Sequence, residues 1–130
     1  MSADPRTAIL GTWRLVHSVE YGPGGKVHHP FGEDAIGYIM YSESGVMAVQ
    51  ITRRERPVTG PNPLVSKKDY LAYFGRYELD VQTGVVRHLL EGELFPGHAD
   101  DLERKYRFFD EKLSLKPLDG TNREILWQRV

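Results

Sequence analysis

The residues of this chain best suited to chemistry are two histidines, a pair of tyrosines and a glutamate. His17 and His88 each stand in an alternating stretch, at a position that shares a face with apolar neighbours. An imidazole titrating near pH 6.5 takes or gives a proton at neutral pH, so an inward histidine suits general acid–base work. Tyr73 and Tyr77 share one face of a strand, from which their hydroxyls can donate to a ligand or a developing oxyanion. Glu91 follows His88 at an odd spacing, which places it on the opposite face unless a bulge intervenes, and Gly92 makes a bulge possible. The candidate catalytic set is therefore His88 or His17 as base, Tyr73 or Tyr77 as hydroxyl donor, and Glu91 as orienting group or base. Each has a plainer reading: a core histidine bonded to tyrosine or backbone, tyrosines in packing, a glutamate paired with an arginine at a rim.

Other chemistries are excluded by what the chain lacks. It has no cysteine, which removes disulfides, thiolate nucleophiles and cysteine-based metal sites. Its 17 basic and 18 acidic residues leave a net charge of -1, without the electrostatic footprint of a duplex-binding protein, so no nucleic-acid partner is expected. His28 and His29 are adjacent and point to opposite faces of a strand, a poor chelate, while His98, Asp100 and Asp101 form only an acidic loop; no metal is expected. There is no Gly-x-Ser-x-Gly elbow, phosphate loop or dinucleotide fingerprint, and no cofactor is expected. The polar start Met1–Arg6 and the absence of a long apolar run predict no membrane span and a cytoplasmic location. Arg53, Arg54 and Arg56 with Lys67 and Lys68 make a basic loop region, either simply solvated or steering an anionic ligand.

The elements that position these residues are strands. Thirteen glycines and eight prolines accompany seven tyrosines, five phenylalanines and two tryptophans, a mixture of frequent turns and strand-favouring aromatics. One domain over residues 1–130 is expected. Asp4-Pro5 reads as an N-cap and first helical position, predicting a helical turn over Pro5–Ile9. Alternation then predicts strands over residues 12–21, 26–29, 35–41, 46–52, 70–80, 85–93, 102–109, 112–116 and 124–130. Ser66–Asp69 resembles a capping box ahead of one of them. The pattern predicts an all-β fold of eight to ten antiparallel strands, either an up-and-down barrel or a two-sheet sandwich.

Several stretches narrow this choice. Gly11-Thr12-Trp13 opens the first strand after a helical turn. His29–Asp34, Gly37–Tyr41, Gly45–Gln50, Arg53–Pro57, Leu71–Glu78 and His88–Pro96 follow in order. This set resembles the bacterial and fungal lipocalin-like domain family. The resemblance implies a small cup-shaped lipocalin-like barrel with a short N-terminal helical turn and an apolar pocket. It also implies that Trp13 plugs the closed end beneath an arginine of the last strand, Arg129 or else Arg123. Two departures stand out: where the family often carries adjacent histidines this chain has His88-Leu89, and the stretch between Pro57 and Tyr70 is short, implying a reduced lid helix.

With Trp13 facing in, period two carries Leu15, His17, Val19 and Tyr21 inward. The more apolar faces of the other strands supply Ile36, Tyr38 and Met40; Met47, Val49 and Ile51; Leu71, Tyr73, Gly75, Tyr77 and Leu79; Val86, His88 and Leu90; and Leu102, Arg104, Tyr106 and Phe108. The candidate ligand wall is Tyr38, Met40, Met47, Val49, Tyr73, Tyr77, His88, Leu90, Arg104, Tyr106 and Phe108. Such an apolar lining with a few polar tips is the usual form of a small-molecule site, and aromatic walls favour flat ligands. The first functional expectation is a monomer or homodimer that binds a small hydrophobic molecule, aromatic or polyketide-like. The alternatives are a cofactor-independent isomerase, cyclase, hydratase or lyase, and a filled barrel serving as a structural or interaction module.

Overall fold

The computed structural model describes residues 4–55, 70–95 and 101–130. A one-turn helix, α1 (Pro5–Ala8), is capped by the Asp4 carboxylate, which accepts from the Arg6 amide at 3.0 Å. Nine strands follow: β1 (Gly11–Tyr21), β2 (Val27–His28), β3 (Ile36–Tyr41), β4 (Val46–Thr52), β5 (Tyr70–Asp80), β6 (Val85–Glu93), β7 (Asp101–Phe109), β8 (Lys112–Pro117) and β9 (Arg123–Arg129). Neighbours in sequence pair antiparallel from β3 to β9, and β1 pairs with both β3 and β9. Eight strands thus close into a barrel, while β2 adds a short ribbon to the far end of β1. Closure excludes the sandwich. It also removes the open sheet edges that a chain of this composition would otherwise present. The expected capping box at Ser66–Asp69 lies outside the described residues.

One end of the barrel is sealed. Trp13 is buried there, its Nε1–H donating to the Ile9 carbonyl at 2.9 Å. The Arg129 guanidinium lies 4.1 Å from the centre of the Trp13 ring and donates to the carbonyls of Leu10 and Ala8. The plug is the one the resemblance implied, with Arg129 as its arginine; Arg123 instead stands at the opposite end, paired with Asp119 at 3.0 Å. Ile9, Leu15, Tyr41, Met47, Val86 and Leu113 fill the space above Trp13. Tyr106 and Phe108 pack against this core.

Three one-residue irregularities decide which side chains face inward. In β1, Leu15 pairs with Trp127 and His17 with Leu126, so Val16 is an extra residue and the alternation reverses: Ser18 turns in and His17 turns out, while Val19 stays buried. In the β3–β4 hairpin, Gly45 adopts φ +87° and Tyr41 pairs with Met47, which aligns Ile39 with Val49 and sends Tyr38 and Met40 outward. Between β5 and β6, Gly75 pairs with Leu90 but Phe74 with Gly92, leaving Glu91 as the extra residue. A Cβ at Gly75 would sit 2.0 Å from the Leu89 carbonyl oxygen, so only glycine allows this close crossing.

Candidate functional site

The upper half of the barrel holds a recessed cavity of about 340 Å³. Ile39, Val49, Ile51, Leu71, Leu115 and Ile125 form its apolar walls. Phe31, Asp101, Glu103, Leu118, Asp119 and Arg123 stand around it toward the open end, and Ser18, Tyr73, His88, Arg104 and Trp127 supply its polar groups.

His88 is the centre of these. Its ring is 1% exposed, with Nε2 at 2.6 Å from the Tyr41 hydroxyl and Nδ1 at 2.7 Å from the Tyr73 hydroxyl. Burial, followed by the nearby Arg104 charge, pushes its pKa down to about 3, so the ring is neutral at any physiological pH. A neutral imidazole offers one donor and one acceptor. Tyr41 is buried, and His88 is its hydrogen-bond partner; if Tyr41 accepted from Nε2, its own proton would be stranded. Donor accounting therefore assigns Tyr41 O–H as donor to Nε2 and Nδ1–H as donor to Tyr73. The Arg104 guanidinium stands near the Tyr73 side chain and can only donate. The Tyr73 oxygen thus accepts from His88 with a cation close by, and its own O–H is left for the cavity that Tyr73 lines. Burial raises the Tyr73 pKa, with Arg104 opposing that rise; burial likewise raises Tyr41 well above its ordinary value.

Not every residue expected at the site is there. Val49, Tyr73, His88 and Arg104 line the cavity. Met47, Leu90, Tyr106 and Phe108 face inward but lie in the packed core or against it. Tyr77 also packs there, edge-on to Tyr41 with ring centres 4.9 Å apart, and its hydroxyl donates to the Ser42 carbonyl at 2.7 Å, away from the cavity. Tyr38 and Met40, expected inside, are 48% and 50% exposed and border a shallow depression on the outer surface. Both faces of β3 are apolar, so composition could not choose between them; the bulged hairpin did. His17, expected inside, is carried out by the β1 bulge and pairs with Glu124 at 3.3 Å, whose other oxygen accepts from Ser114 at 2.8 Å. The bulge foreseen near Glu91 exists, but it leaves Glu91 itself exposed and brings Glu93 opposite Tyr73 instead. Sequence reasoning missed Ser18 and Trp127 as cavity residues and the buried Tyr41 as the partner of His88; Ser18 sits beyond the bulge that reverses the alternation of β1.

Trp127 is 1% exposed, and its Nε1 has no hydrogen-bond partner among the described residues. Arg104 is 9% exposed, and no described carboxylate lies within salt-bridge distance of it. Among the described residues no three His, Asp or Glu side chains converge as metal ligands.

A closed antiparallel barrel, plugged by tryptophan and arginine at one end and hollow at the other, is what a family profile for the lipocalin-like domain matches over residues 10–128. The chain belongs to the lipocalin-like domain family. A solved lipocalin-like protein from Bacteroides uniformis superposes on this lipocalin-like chain with a TM-score of 0.56 at 12% identity, covering 95% of this chain and 99% of the other. That likeness is one of fold. No curated protein matches the sequence. The lipocalin-like barrel is consistent with small-molecule binding, and no helix among the described residues is long and apolar enough to cross a membrane.

Proposed function

We propose that this lipocalin-like barrel binds a small, mostly apolar and flat molecule, aromatic or polyketide-like, in the cavity above His88. The observation that carries this reading is the cavity itself: apolar walls contributed by five strands surround about 340 Å³, near the lower end of the roughly 300–1,000 Å³ typical of small-molecule sites. The size favours one or two fused rings over an extended chain. Trp127 on the wall offers a stacking surface and an optical reporter. The test is titration with flat aromatic compounds followed by tryptophan fluorescence, alongside Val49→Phe. Val49 is buried on the wall, so the larger ring occupies ligand space. Saturable quenching that Val49→Phe abolishes supports the reading; quenching that persists unchanged places the ligand elsewhere and refutes it.

A second reading, a cofactor-independent isomerase, cyclase, hydratase or lyase, is favoured by one feature. The Tyr73 hydroxyl lines the cavity and is backed by a cation and an imidazole, as an oxyanion donor would be. Incubating the protein with its co-purified small molecule and analysing that molecule by mass spectrometry and NMR tests it. Recovery of an unchanged molecule at every time point removes this reading.

A further inference from the structure

We infer that the cavity ligand carries a planar anionic headgroup, a carboxylate, held by Arg104 and the Tyr73 hydroxyl; this rests on the binding reading above. The argument begins with Arg104. A guanidinium carries five N–H donors. Here it bonds the Glu103 carbonyl, a neutral acceptor, at 3.2 Å and stands near the neutral Tyr73 hydroxyl. It has no carboxylate partner among the described residues while lying almost wholly inside the barrel. A desolvated cation without a counterion is costly in a protein interior, and such groups are ordinarily paired.

One further donor lines the same cavity. Donor accounting leaves the Tyr73 O–H aimed away from His88. His88 stays neutral and sits behind Tyr73, so it adds no competing negative charge. The acidic groups nearby are otherwise placed. Asp119 is engaged by Arg123 and Thr121, Glu93 opposite Tyr73 is engaged as well, and the exposed Asp101 and Glu103 lie toward the open end. The buried Arg104 and the Tyr73 hydroxyl, deeper in the cavity, select a ligand with acceptors, and the planar fork of arginine matches a carboxylate with two parallel bonds. With apolar walls around it, the ligand class is a small aromatic carboxylic acid.

The test compares three probes of one shape by calorimetry at pH 7: naphthoate, methylnaphthalene and protonated naphthylmethylamine. Naphthoate should bind at least about 30-fold more tightly than methylnaphthalene, the factor a desolvated charge pair typically contributes. Arg104→Met, which keeps the length and removes the charge, should erase that preference. Tyr73→Phe, which keeps the ring and removes the hydroxyl, should weaken naphthoate by about 3- to 10-fold. Equal binding of naphthoate and methylnaphthalene to the unaltered protein, preferred binding of the amine, or a preference that survives Arg104→Met each overturns the headgroup assignment and leaves cavity binding standing. No saturable binding of any probe overturns both.

Discussion

His88 makes the barrel acid-sensitive in a way that can be worked out in advance. Its pKa falls from an ordinary 6.5 to about 3 on folding, because burial and then Arg104 disfavour the imidazolium. Between those values the unfolded chain holds a proton on this ring that the folded barrel refuses, so stability rises with pH through the window and is lost as pH falls below about 6.5. From pH 7 to pH 4 this one group removes roughly 3 kcal/mol, about 1.4 kcal/mol for each pH unit below 6.5. That is a large share of the roughly 5–15 kcal/mol of a typical domain. The assay is urea unfolding at pH 7 and pH 4 for the unaltered protein and for His88→Gln. Carboxylates such as Glu124 titrate in both proteins and cancel from the comparison. His88→Gln starts less stable at pH 7, since the buried hydroxyls of Tyr41 and Tyr73 lose well-placed partners. It should then lose about 3 kcal/mol less on acidification. Parallel losses in the two proteins, or an NMR titration of the His88 ring with a midpoint above pH 5, would refute the reasoning.

Three other substitutions test how the barrel is held and which groups belong to the site. Arg129→Met removes the cation over Trp13 and its bonds to Leu10 and Ala8, and should cost about 2–4 kcal/mol, lowering the melting temperature by roughly 10 °C. Gly75→Ala drives a methyl group into the Leu89 carbonyl and should destabilise by about 3 kcal/mol or prevent soluble expression, as read by calorimetric melting. His17→Ala and Glu91→Ala, both outside the cavity, should leave probe affinity unchanged and alter stability by less than about 1 kcal/mol; an affinity loss in either would return that residue to the site.

The strands, the helical turn and the Trp13–Arg129 plug were legible because each is written in local signals: period-two alternation, an Asp-Pro start, a Gly-x-Trp opening. Direction along the barrel wall was legible too, as the inward placement of Tyr73, His88 and Arg104 follows from the more apolar face of each strand. What alternation does not carry is its own reversal. One extra residue flips every side chain beyond it: the bulges at Val16 and Glu91 account for His17 and for the exchange of Glu91 with Glu93, and the hairpin register set at Gly45 accounts for Tyr38 and Met40. Gly45 and Gly92 mark two of these places, but glycine in or beside a strand also marks turns and close crossings. Val16 carries no mark at all, since a β-branched residue is ordinary in a strand. The misplaced residues are thus displaced by single-residue irregularities whose cause is tertiary: the need of β1 to serve both β3 and β9, and of β5 to cross β6 at Gly75.

The state of His88 also constrains any chemistry this cavity performs. A general base works best with a pKa near the working pH. A ring held at about 3, with both nitrogens engaged by tyrosines, is a weak acceptor of further protons. Its contribution is instead to fix the Tyr73 hydroxyl, whose oxygen accepts from an imidazole N–H with the Arg104 cation nearby. Such a hydroxyl is a strong hydrogen-bond donor, suited to negative charge on a ligand. Turnover, where found, should therefore proceed by stabilising an enolate or carboxylate on the substrate. Its rate should be flat from pH 5 to pH 8, because neither His88 nor Tyr73 titrates in that range. Tyr73→Phe should lower kcat by about 10²-fold or more, the scale for removing one oxyanion donor. A pH–rate profile with an ascending limb centred near 6.5 would place an ordinary imidazole at the reacting atoms and overturn this account of the site.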